Sequence, residues 1–198
     1  MATYHLRTPI AEKDARSLKV NDIVYISGTI ITARDQAHRR ALRFLKKGKA
    51  LPVDLEGLVV YHCGPVMRKQ GEGYVTVAAG PTTSTRLEPY EDEFLRAFKP
   101  RLLVGKGGMG RRTADALKGV GAAYCAFTGG AAVLAANAVR CVREVHWLDL
   151  GMPEAMWVLE VHEFGPLIVA IDSRGGNLYA DVAAVVEANK QRIYEKLG

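Results

Sequence analysis

The second half of the chain alternates short apolar runs with glycine-rich loops, and this alternation limits the folds that it can adopt. Residues 102–104 and 122–127 are such runs, and each is followed by a glycine-containing loop and then by a segment of helical pattern. Strands that alternate with helices predict a parallel sheet. Residues 156–162 and 167–171 are two further apolar runs, which we expect to form antiparallel strands joined at 163–166. The pattern therefore favours an α/β fold with a mixed sheet.

The first half of the chain adds further strands and one strongly basic helix. The β-branched run at 23–31 and the shorter run at 58–61 predict strands, and residues 68–73 are typical of a hairpin loop. Residues 38–49 combine Arg and Lys with apolar residues at helical spacing, which indicates a helix with a solvated outer face. Because neither interleaved aromatic residues nor a known signature accompanies these charges, we expect no nucleic-acid binding.

Two helices complete the prediction. Thr85 and Glu88 have the spacing of a capping box, so a helix should begin near them and end before Pro100. Residues 181–197 should form an amphipathic helix. No linker divides the 198 residues, of which 48% are hydrophobic, and we expect residues 1–198 to form a single domain around one core.

Composition restricts the function classes. No apolar run reaches the length of a membrane span, and the first residues lack the apolar stretch of a signal peptide, so we expect a cytoplasmic protein with no membrane contact. The three cysteines, Cys63, Cys125 and Cys141, are widely spaced and include no C-x-x-C pair. This spacing predicts reduced thiols rather than a disulfide framework, with no metal or cofactor held by this chain. We interpret Cys63 as a packing residue.

Three loops at strand-to-helix junctions are rich in glycine or hydroxyl groups: 80–86, 105–110 and 128–130. Helix N-termini present free N–H groups and a partial positive charge, so such junctions suit anions. Arg86 and Lys106 lie within two of these loops, and Arg34 and His38 lie at a fourth junction. Since Arg grips a carboxylate with paired hydrogen bonds and Lys supplies a compact charge, these residues predict a site for a small anion.

The loop at 105–110 also fits the pattern G-x-G-x-x-G, which leaves several alternatives open. Taken alone, the pattern indicates a dinucleotide-binding domain. The acidic residue expected about 20 positions later is missing, because residues 121–139 contain no Asp or Glu. A tight glycine turn and a generic anion loop are the other interpretations of this loop. For the chain as a whole, a non-catalytic partner domain that keeps the fold without a working site is a further alternative.

Several separate blocks of this sequence, in the same order, resemble class I fumarases and the beta subunit of L(+)-tartrate dehydratase. The resemblance extends from about Arg7 to Tyr179 and rests on these blocks: Ala33-Arg34-Asp35-Gln36-Ala37-His38, Gly64-Pro65, Gly80-Pro81-Thr82-Thr83-Ser84-Thr85-Arg86, Glu88-Pro89-Tyr90-Glu91, Gly105-Lys106-Gly107-Gly108-Met109-Gly110, residues 145–154 and Phe164-Gly165-Pro166-Leu167-Ile168-Val169.

The resemblance implies a swivelling β/β/α domain that works in a hydro-lyase, an enzyme that adds or removes water. It implies an alpha subunit as partner, a hetero-oligomer in which that subunit holds a [4Fe-4S] cluster, and a small dicarboxylate as substrate. The isolated chain could also form a homodimer. Reversible hydration of fumarate to (S)-malate is the first expectation for the reaction, and dehydration of L(+)-tartrate is the alternative.

The resemblance also implies residue roles. Arg34, Arg86 and Lys106 would bind the substrate carboxylates, and Thr82 occupies the position proposed for the base that exchanges the C–H proton. A threonine hydroxyl is a very weak acid, so its alkoxide would need nearby cations. His38 is the competing acid–base candidate because its ordinary pKa suits proton transfer, and it could instead orient Arg34 or Asp35. The sequence leaves the choice between Thr82 and His38 open.

Overall fold

A computed structural model describes residues 1–197 and shows a mixed α/β architecture, as expected. The nine strands of the described residues are β1 (Thr3–Arg7), β2 (Ile23–Thr32), β3 (Val59–Tyr61), β4 (Val66–Gln70), β5 (Gly73–Ala78), β6 (Leu102–Gly105), β7 (Ala123–Ala126), β8 (Val139–His146) and β9 (Met156–Ile171). The pair β4–β5 forms a separate hairpin, and the other seven strands share one sheet.

Six α-helices connect or flank the strands: α1 (Glu12–Ser17), α2 (Asp35–Lys46), α3 (Glu88–Phe98), α4 (Arg111–Val120), α5 (Ala132–Ala138) and α6 (Leu178–Leu197). Short 3-10 helices cover Ser84–Leu87, directly before α3, and Leu148–Leu150. Within residues 1–197, none of these helices combines the length and apolar character that crossing a membrane requires.

Five strands of the sheet close on themselves. Parallel pairing runs from β2 to β3, to β6 and to β7, and the antiparallel strand β9 then pairs with both β7 and β2. Strand β1 pairs in parallel with the first half of β2, and β8 pairs with the first half of β9. The closed, barrel-like sheet with helices outside it fits the β/β/α arrangement that the sequence resemblance implies.

Alternate residues of the closed sheet enter two different cores, because successive side chains of a strand point to opposite faces. Val24, Val59, Val104 and Leu159 belong to the interior core, which the five strands enclose. On β3, β6 and β9 the neighbouring residues Val60, Leu103 and Val158 belong to an outer core, in which the sheet packs against α2, α3 and α4. The outer core therefore fixes these three helices on one side of the sheet.

The strand pattern of the sequence is confirmed in most places, with two differences. Residues 156–171 form one continuous strand rather than two strands joined by a turn. Strand β9 pairs with β2 on both sides of Phe164, and register shifts in that pairing absorb the irregular residues around 163–166. The N-terminal residues supply β1 and α1, two elements that the sequence patterns above do not include. A five-residue edge strand with three charged or polar residues has too little periodicity to be recognised.

A substitution at Phe164 tests whether its side chain belongs to the interior core. Its side chain is 1% exposed, and its ring centre lies 5.0 Å from that of Tyr61 and 5.4 Å from that of Phe127. We expect Phe164→Ala to lower the free energy of unfolding by about 3–5 kcal/mol, because it removes apolar contacts and leaves a cavity. Leu45→Ala, at a side chain that is 41% exposed, should cost less than about 0.5 kcal/mol. Urea denaturation would measure both, and equal losses would contradict the assignment of Phe164 to the core.

Candidate active site

The carboxyl ends of four parallel strands meet at one edge of the closed sheet, which we call the loop edge. Arg34 lies two residues beyond the end of β2, residues 62–64 follow β3, Lys106 follows β6, and residues 128–130 follow β7. Ligands of α/β proteins gather at such an edge because strands end there and helices begin. The predicted anion-binding loops are therefore neighbours in the fold, although they are far apart in the sequence.

Backbone hydrogen bonds fix Thr82 beside Lys106. The Thr82 N–H donates to the carbonyl of His62 at 2.7 Å, and the Lys106 N–H donates to the carbonyl of Thr82 at 3.2 Å. The Ser84 N–H in turn donates to the carbonyl of Lys106 at 3.0 Å. The loop at 80–86 is thus bonded like an extra strand between the ends of β3 and β6, which brings Thr82 to the loop edge.

Arg34 is held at the loop edge by a carboxylate and by a close approach to the backbone. Its Nε lies 3.3 Å from Oε1 of Glu154, whose Oε2 accepts the N–H of Gln36 at 2.9 Å. A Cβ on Gly64 would lie 2.5 Å from the Arg34 guanidinium, so Gly64 leaves the space through which the side chain passes. The sequence reading missed Glu154 as the partner of Arg34.

Arg86 and Lys106 reach the same edge from two other loops. Nη2 of Arg86 lies 3.1 Å from Oδ2 of Asp35, the residue next to Arg34, and the Arg86 side chain is 53% exposed. The Lys106 side chain runs past Gly129, since a Cβ on Gly129 would lie 3.6 Å from its Cδ and 3.9 Å from its Nζ. The structure therefore places the three predicted cations on three different loops of the loop edge.

The glycines of the loop at 105–110 make room for side chains of this protein. A Cβ on Gly105 would overlap Oγ of Ser84, and a Cβ on Gly110 would lie 2.5 Å from Oε1 of Glu88. The Glu88 carboxylate accepts the N–H of Gly110 at 2.7 Å, the N–H of Thr113 at 3.3 Å and the Thr113 hydroxyl at 2.7 Å. The N-terminus of α4, where a dinucleotide phosphate would bind, is thus capped by Glu88.

This contact also corrects the expected capping box. A helix does begin near Thr85 and Glu88, as a 3-10 turn that continues into α3, but α3 has no side-chain cap. Glu88 bonds to α4 instead, and the Thr85 hydroxyl donates to the carbonyl of Gly108 at 2.8 Å. Both residues therefore tie the loop at 105–110 to α3, a long-range role that sequence spacing does not reveal.

His38 lies behind the loop edge in a cluster with no exposed side chain. Nε2 of His38 is 3.5 Å and Nε2 of His62 is 3.3 Å from Oε2 of Glu91, and all three side chains are 0% exposed. Nδ1 of His38 lies 2.9 Å from the carbonyl oxygen of Arg34, and Nδ1 of His62 lies 2.9 Å from Oγ of Ser84. We call His38, Glu91 and His62 the buried triad.

Burial and neighbouring charges shift the pKa values of the buried triad in opposite directions. Burial opposes the charged form of His38, but Glu91 and the Arg34 carbonyl outweigh it and raise the pKa of His38 above its ordinary value. Burial lowers the pKa of His62, despite the same carboxylate. Burial also opposes ionisation of Glu91, yet the two imidazoles lower the pKa of this carboxyl to about 2. These directions favour the charged forms of His38 and Glu91 and the neutral form of His62.

Glu91 and His62 were missed by the sequence reading. Glu91 occupies the buried side of α3 together with Phe94 and Leu95, at the spacing of an apolar stripe. An acidic residue at such a position was the available signal. His62 gave no comparable signal, because its partners come from α3 and from the loop at 80–86. Thr82, Arg34, Arg86 and Lys106 all lie at the loop edge, whereas His38 lies beneath it.

Two of the three cysteines are buried and one is exposed. Cys63 and Cys125 are buried and belong to the interior core, and Cys141 is exposed on β8. Burial raises the pKa of Cys63 to about 12, although the Arg34 charge opposes this, and burial raises the pKa of Cys125 to about 12. Within residues 1–197, these thiols do not converge into a ligand set, so the residues present do not fit an iron–sulfur cluster.

Comparisons with known proteins show which sequences this chain is similar to. The family model described as "Fumarase C-terminus" matches residues 2–182 of the chain. A Methanocaldococcus jannaschii protein named "Putative L(+)-tartrate dehydratase subunit beta" is 46% identical over 189 residues, which cover 95% of this chain and 93% of that protein. The Escherichia coli K12 protein named "L(+)-tartrate dehydratase subunit beta" is 43% identical over 97% of this chain and 94% of its own length.

A longer relative contains the same unit as part of one chain. A Geobacillus stearothermophilus protein named "Putative fumarate hydratase class I" is 46% identical over 178 residues, which cover 89% of this chain but 34% of that protein. The unit therefore occurs both as a nearly full-length match to separate beta subunits and as about a third of a larger chain.

The cap on α4 is testable through Glu88. We expect Glu88→Ala to lower the free energy of unfolding by about 1–3 kcal/mol, because it leaves the N–H groups of Gly110 and Thr113 without their acceptor. Glu93→Ala is the matched control on the same helix, since Glu93 is 45% exposed and lies 3.6 Å from Lys46. Its cost should stay within about 0.5 kcal/mol in a urea titration. A harmless Glu88→Ala would show that the cap does not stabilise α4.

Proposed function

Because the chain belongs to the family of the fumarase C-terminal domain, we propose that it is the beta subunit of a hydro-lyase that acts on a small dicarboxylate. The reversible hydration of fumarate to (S)-malate is the first candidate reaction. Dehydration of L(+)-tartrate is the second, and the names of the relatives that match along almost their whole length favour it. The two reactions share one chemistry, the loss of water from a 2-hydroxy dicarboxylate.

The placement of three cations on loops at one edge of the sheet is the observation that carries this proposal. Arg34, Arg86 and Lys106 come from loops that follow different strands, and none of them lies in a surface run of like charge. A dicarboxylate carries two negative groups a few bonds apart, and separate cations on separate loops can hold both groups. Arg34 and Arg86 suit paired hydrogen bonds to a carboxylate, and Lys106 suits a single charged contact.

The chemistry assigned to this chain is the breaking of a C–H bond next to a carboxylate. Negative charge builds on that carboxylate as the proton leaves, and cations held in place stabilise the charge without reorganising. We assign proton removal to Thr82, whose backbone is bonded directly to that of Lys106. The ammonium group of Lys106 would stabilise the Thr82 alkoxide that accepts the C–H proton.

His38 is the alternative acid–base group, and its surroundings argue for a different role. Its side chain is 0% exposed, and both ring nitrogens face atoms of the protein, one the Arg34 carbonyl and the other Glu91. A group that exchanges a proton with substrate must come within hydrogen-bond reach of it. We therefore assign the proton transfer to Thr82 and an orienting role to His38.

We further propose that an alpha subunit holds the [4Fe-4S] cluster, because the thiols of this chain do not converge and its relatives are named as beta subunits. When bound, such a cluster supplies a Lewis acid for the substrate hydroxyl. The residues of this chain hold the carboxylates and take the C–H proton. On this division of labour, the chain alone is inactive.

The assembled enzyme tests the reaction. Anaerobic co-expression with the neighbouring large subunit, followed by reconstitution with iron and sulfide, should give an enzyme active on malate and fumarate or on L(+)-tartrate. The chain purified alone should show no turnover on any of these acids. Absence of turnover by the reconstituted complex on all of them would refute the proposed function.

Thr82 is tested against its neighbour Thr83. We expect Thr82→Ala to lower kcat roughly 100- to 10,000-fold, the range for loss of a general base, with little change in KM. Thr83→Ala, at an exposed position in the same loop, should retain normal kinetics. Steady-state rates in the assembled enzyme measure both, and near-normal turnover of Thr82→Ala would remove Thr82 from the chemistry.

Lys106 is tested against another lysine of the same region. Lys106→Ala should raise KM by roughly 10- to 100-fold, since one charge-assisted hydrogen bond to the substrate is lost. It should also slow turnover, because the lost charge stabilises the developing anion. Lys118→Ala, on the exposed side of α4, is the matched control and should leave both constants unchanged. If Lys106→Ala behaves like the control, Lys106 does not bind substrate.

A further inference from the structure

A single chain of buried polar contacts joins the three loops that carry the proposed substrate-binding residues. It runs from the Arg34 carbonyl through His38, Glu91 and His62 to Oγ of Ser84. The Tyr124 hydroxyl continues it, at 3.0 Å from Ser84 Oγ and 2.7 Å from the carbonyl of Gly107. Its two ends therefore lie at Arg34 and in the loop at 105–110, and it passes through the loop at 80–86 at Ser84.

The positions of the protons follow from the partner atoms, because some of these atoms can only accept a hydrogen bond. A carbonyl oxygen has no proton, so Nδ1 of His38 must donate to Arg34, and Nε2 of His38 faces the Glu91 carboxylate. Nε2 of His62 faces the same carboxylate, which leaves its Nδ1 to accept from the Ser84 hydroxyl. When His38 carries two protons and His62 carries one, every nitrogen faces an atom of complementary hydrogen-bonding character, at distances from 2.9 to 3.5 Å.

We propose that the buried triad is a positioning device in which an imidazolium at His38, a carboxylate at Glu91 and a neutral His62 set the relative positions of the three substrate-binding loops. The inference rests on the proposed function and deepens it, because it names residues that act through Arg34, Thr82 and Lys106 without touching substrate. Fixed loops matter because a shift of about 1 Å in a substrate-holding group can cost about 100-fold in rate.

The triad is enclosed by apolar and charged groups of the neighbouring elements. Phe94 of α3 packs against the His38 ring with ring centres 4.4 Å apart, and the His62 ring meets His38 edge-on at 5.6 Å. Asp35 of α2 adds a second negative charge that acts on both imidazoles. Since water does not reach the triad, the ion pair is poorly screened, and removal of either charge leaves the other without compensation.

Four atoms of the triad lie in a geometry that would also suit the binding of a metal ion. Nε2 of His38, Nε2 of His62 and both Glu91 oxygens have no hydrogen bond of good angle, and the three groups lie within 4.8 Å of one another. A metal would require both Nε2 atoms to be unprotonated. The protonation of Nε2 therefore separates the two descriptions by direct measurement.

The first experiment measures protonation in the full chain without any need for activity. A two-dimensional ¹H–¹⁵N NMR spectrum of the histidine side chains near neutral pH should show both nitrogens of His38 protonated, and only Nε2 of His62 protonated. In Glu91→Gln, His38 should change to a single proton. An equimolar metal that survives dialysis against EDTA, or a singly protonated His38 in the wild-type chain, would overturn the proposal.

The second experiment asks whether the triad positions the loops. Glu91→Gln removes the charge, and Ser84→Ala keeps the charge pair but breaks its link to the loop at 80–86. Both should increase amide hydrogen exchange in residues 80–86 and 105–110. Asp22→Asn is the matched control, since Asp22 is also a buried carboxylate, 4% exposed, and accepts two backbone N–H groups before the opposite end of β2. It should leave exchange in both loops unchanged.

Kinetics of the assembled enzyme complete the test. Glu91→Gln should lower kcat/KM by about 100-fold, through both a higher KM and a lower kcat, whereas Asp22→Asn should stay within about twofold. Unchanged loop exchange and kinetics in Glu91→Gln and Ser84→Ala would overturn the positioning role. If Glu91→Gln does not fold, the loop exchange and the kinetics of Ser84→Ala decide whether the triad positions the loops. If the wild-type complex is inactive on every dicarboxylate, the proposed function fails, while the NMR and exchange results still decide the triad.

Discussion

Closure of the sheet by β9 is the constraint on which the rest of the molecule depends. In an open sheet, β2 and β7 would lie three strand spacings apart, about 14 Å at roughly 4.8 Å per strand. Because β9 pairs with both of them, the carboxyl ends of β2, β3, β6 and β7 border one opening instead of forming a row. The loops after these strands, which are distant in sequence, therefore become mutual neighbours around that opening.

How far the sequence predicts this arrangement depends on how local each interaction is. The strands β2, β3, β6 and β7 follow from apolar runs of a few residues, and Arg34, Thr82, Arg86 and Lys106 follow from loops at their ends. Each of these features depends on a short segment of the sequence. Closure of the sheet does not, because it depends on β9 remaining one strand through residues 163–166, where Pro and Gly locally favour a turn.

The loop at 105–110 is a second case in which the local sequence does not determine the structure. The pattern at 105–110 allows a nucleotide site or a tight turn, and nothing within the loop decides between them. Glu88, from another helix, occupies the N-terminus of α4 with its carboxylate, and Ser84 fills the space that Gly105 leaves. The anion that the helix N-terminus attracts is thus an anion of the protein itself. The meaning of the motif is set by residues about 20 positions away in the sequence.

The carboxylates beside the two arginines explain how like charges can be kept close before a substrate arrives. Glu154 pairs with Arg34 and Asp35 pairs with Arg86, and these ion pairs offset part of the repulsion between two cations at the same edge of the sheet. The Nε of Arg34 is buried without a hydrogen bond of good angle, so its pairing with Glu154 is incomplete. A substrate carboxylate would compete with these acidic groups for cations that are already in place. Selectivity for a dicarboxylate would then arise because two such exchanges must occur together, at positions that the buried triad is proposed to fix from beneath.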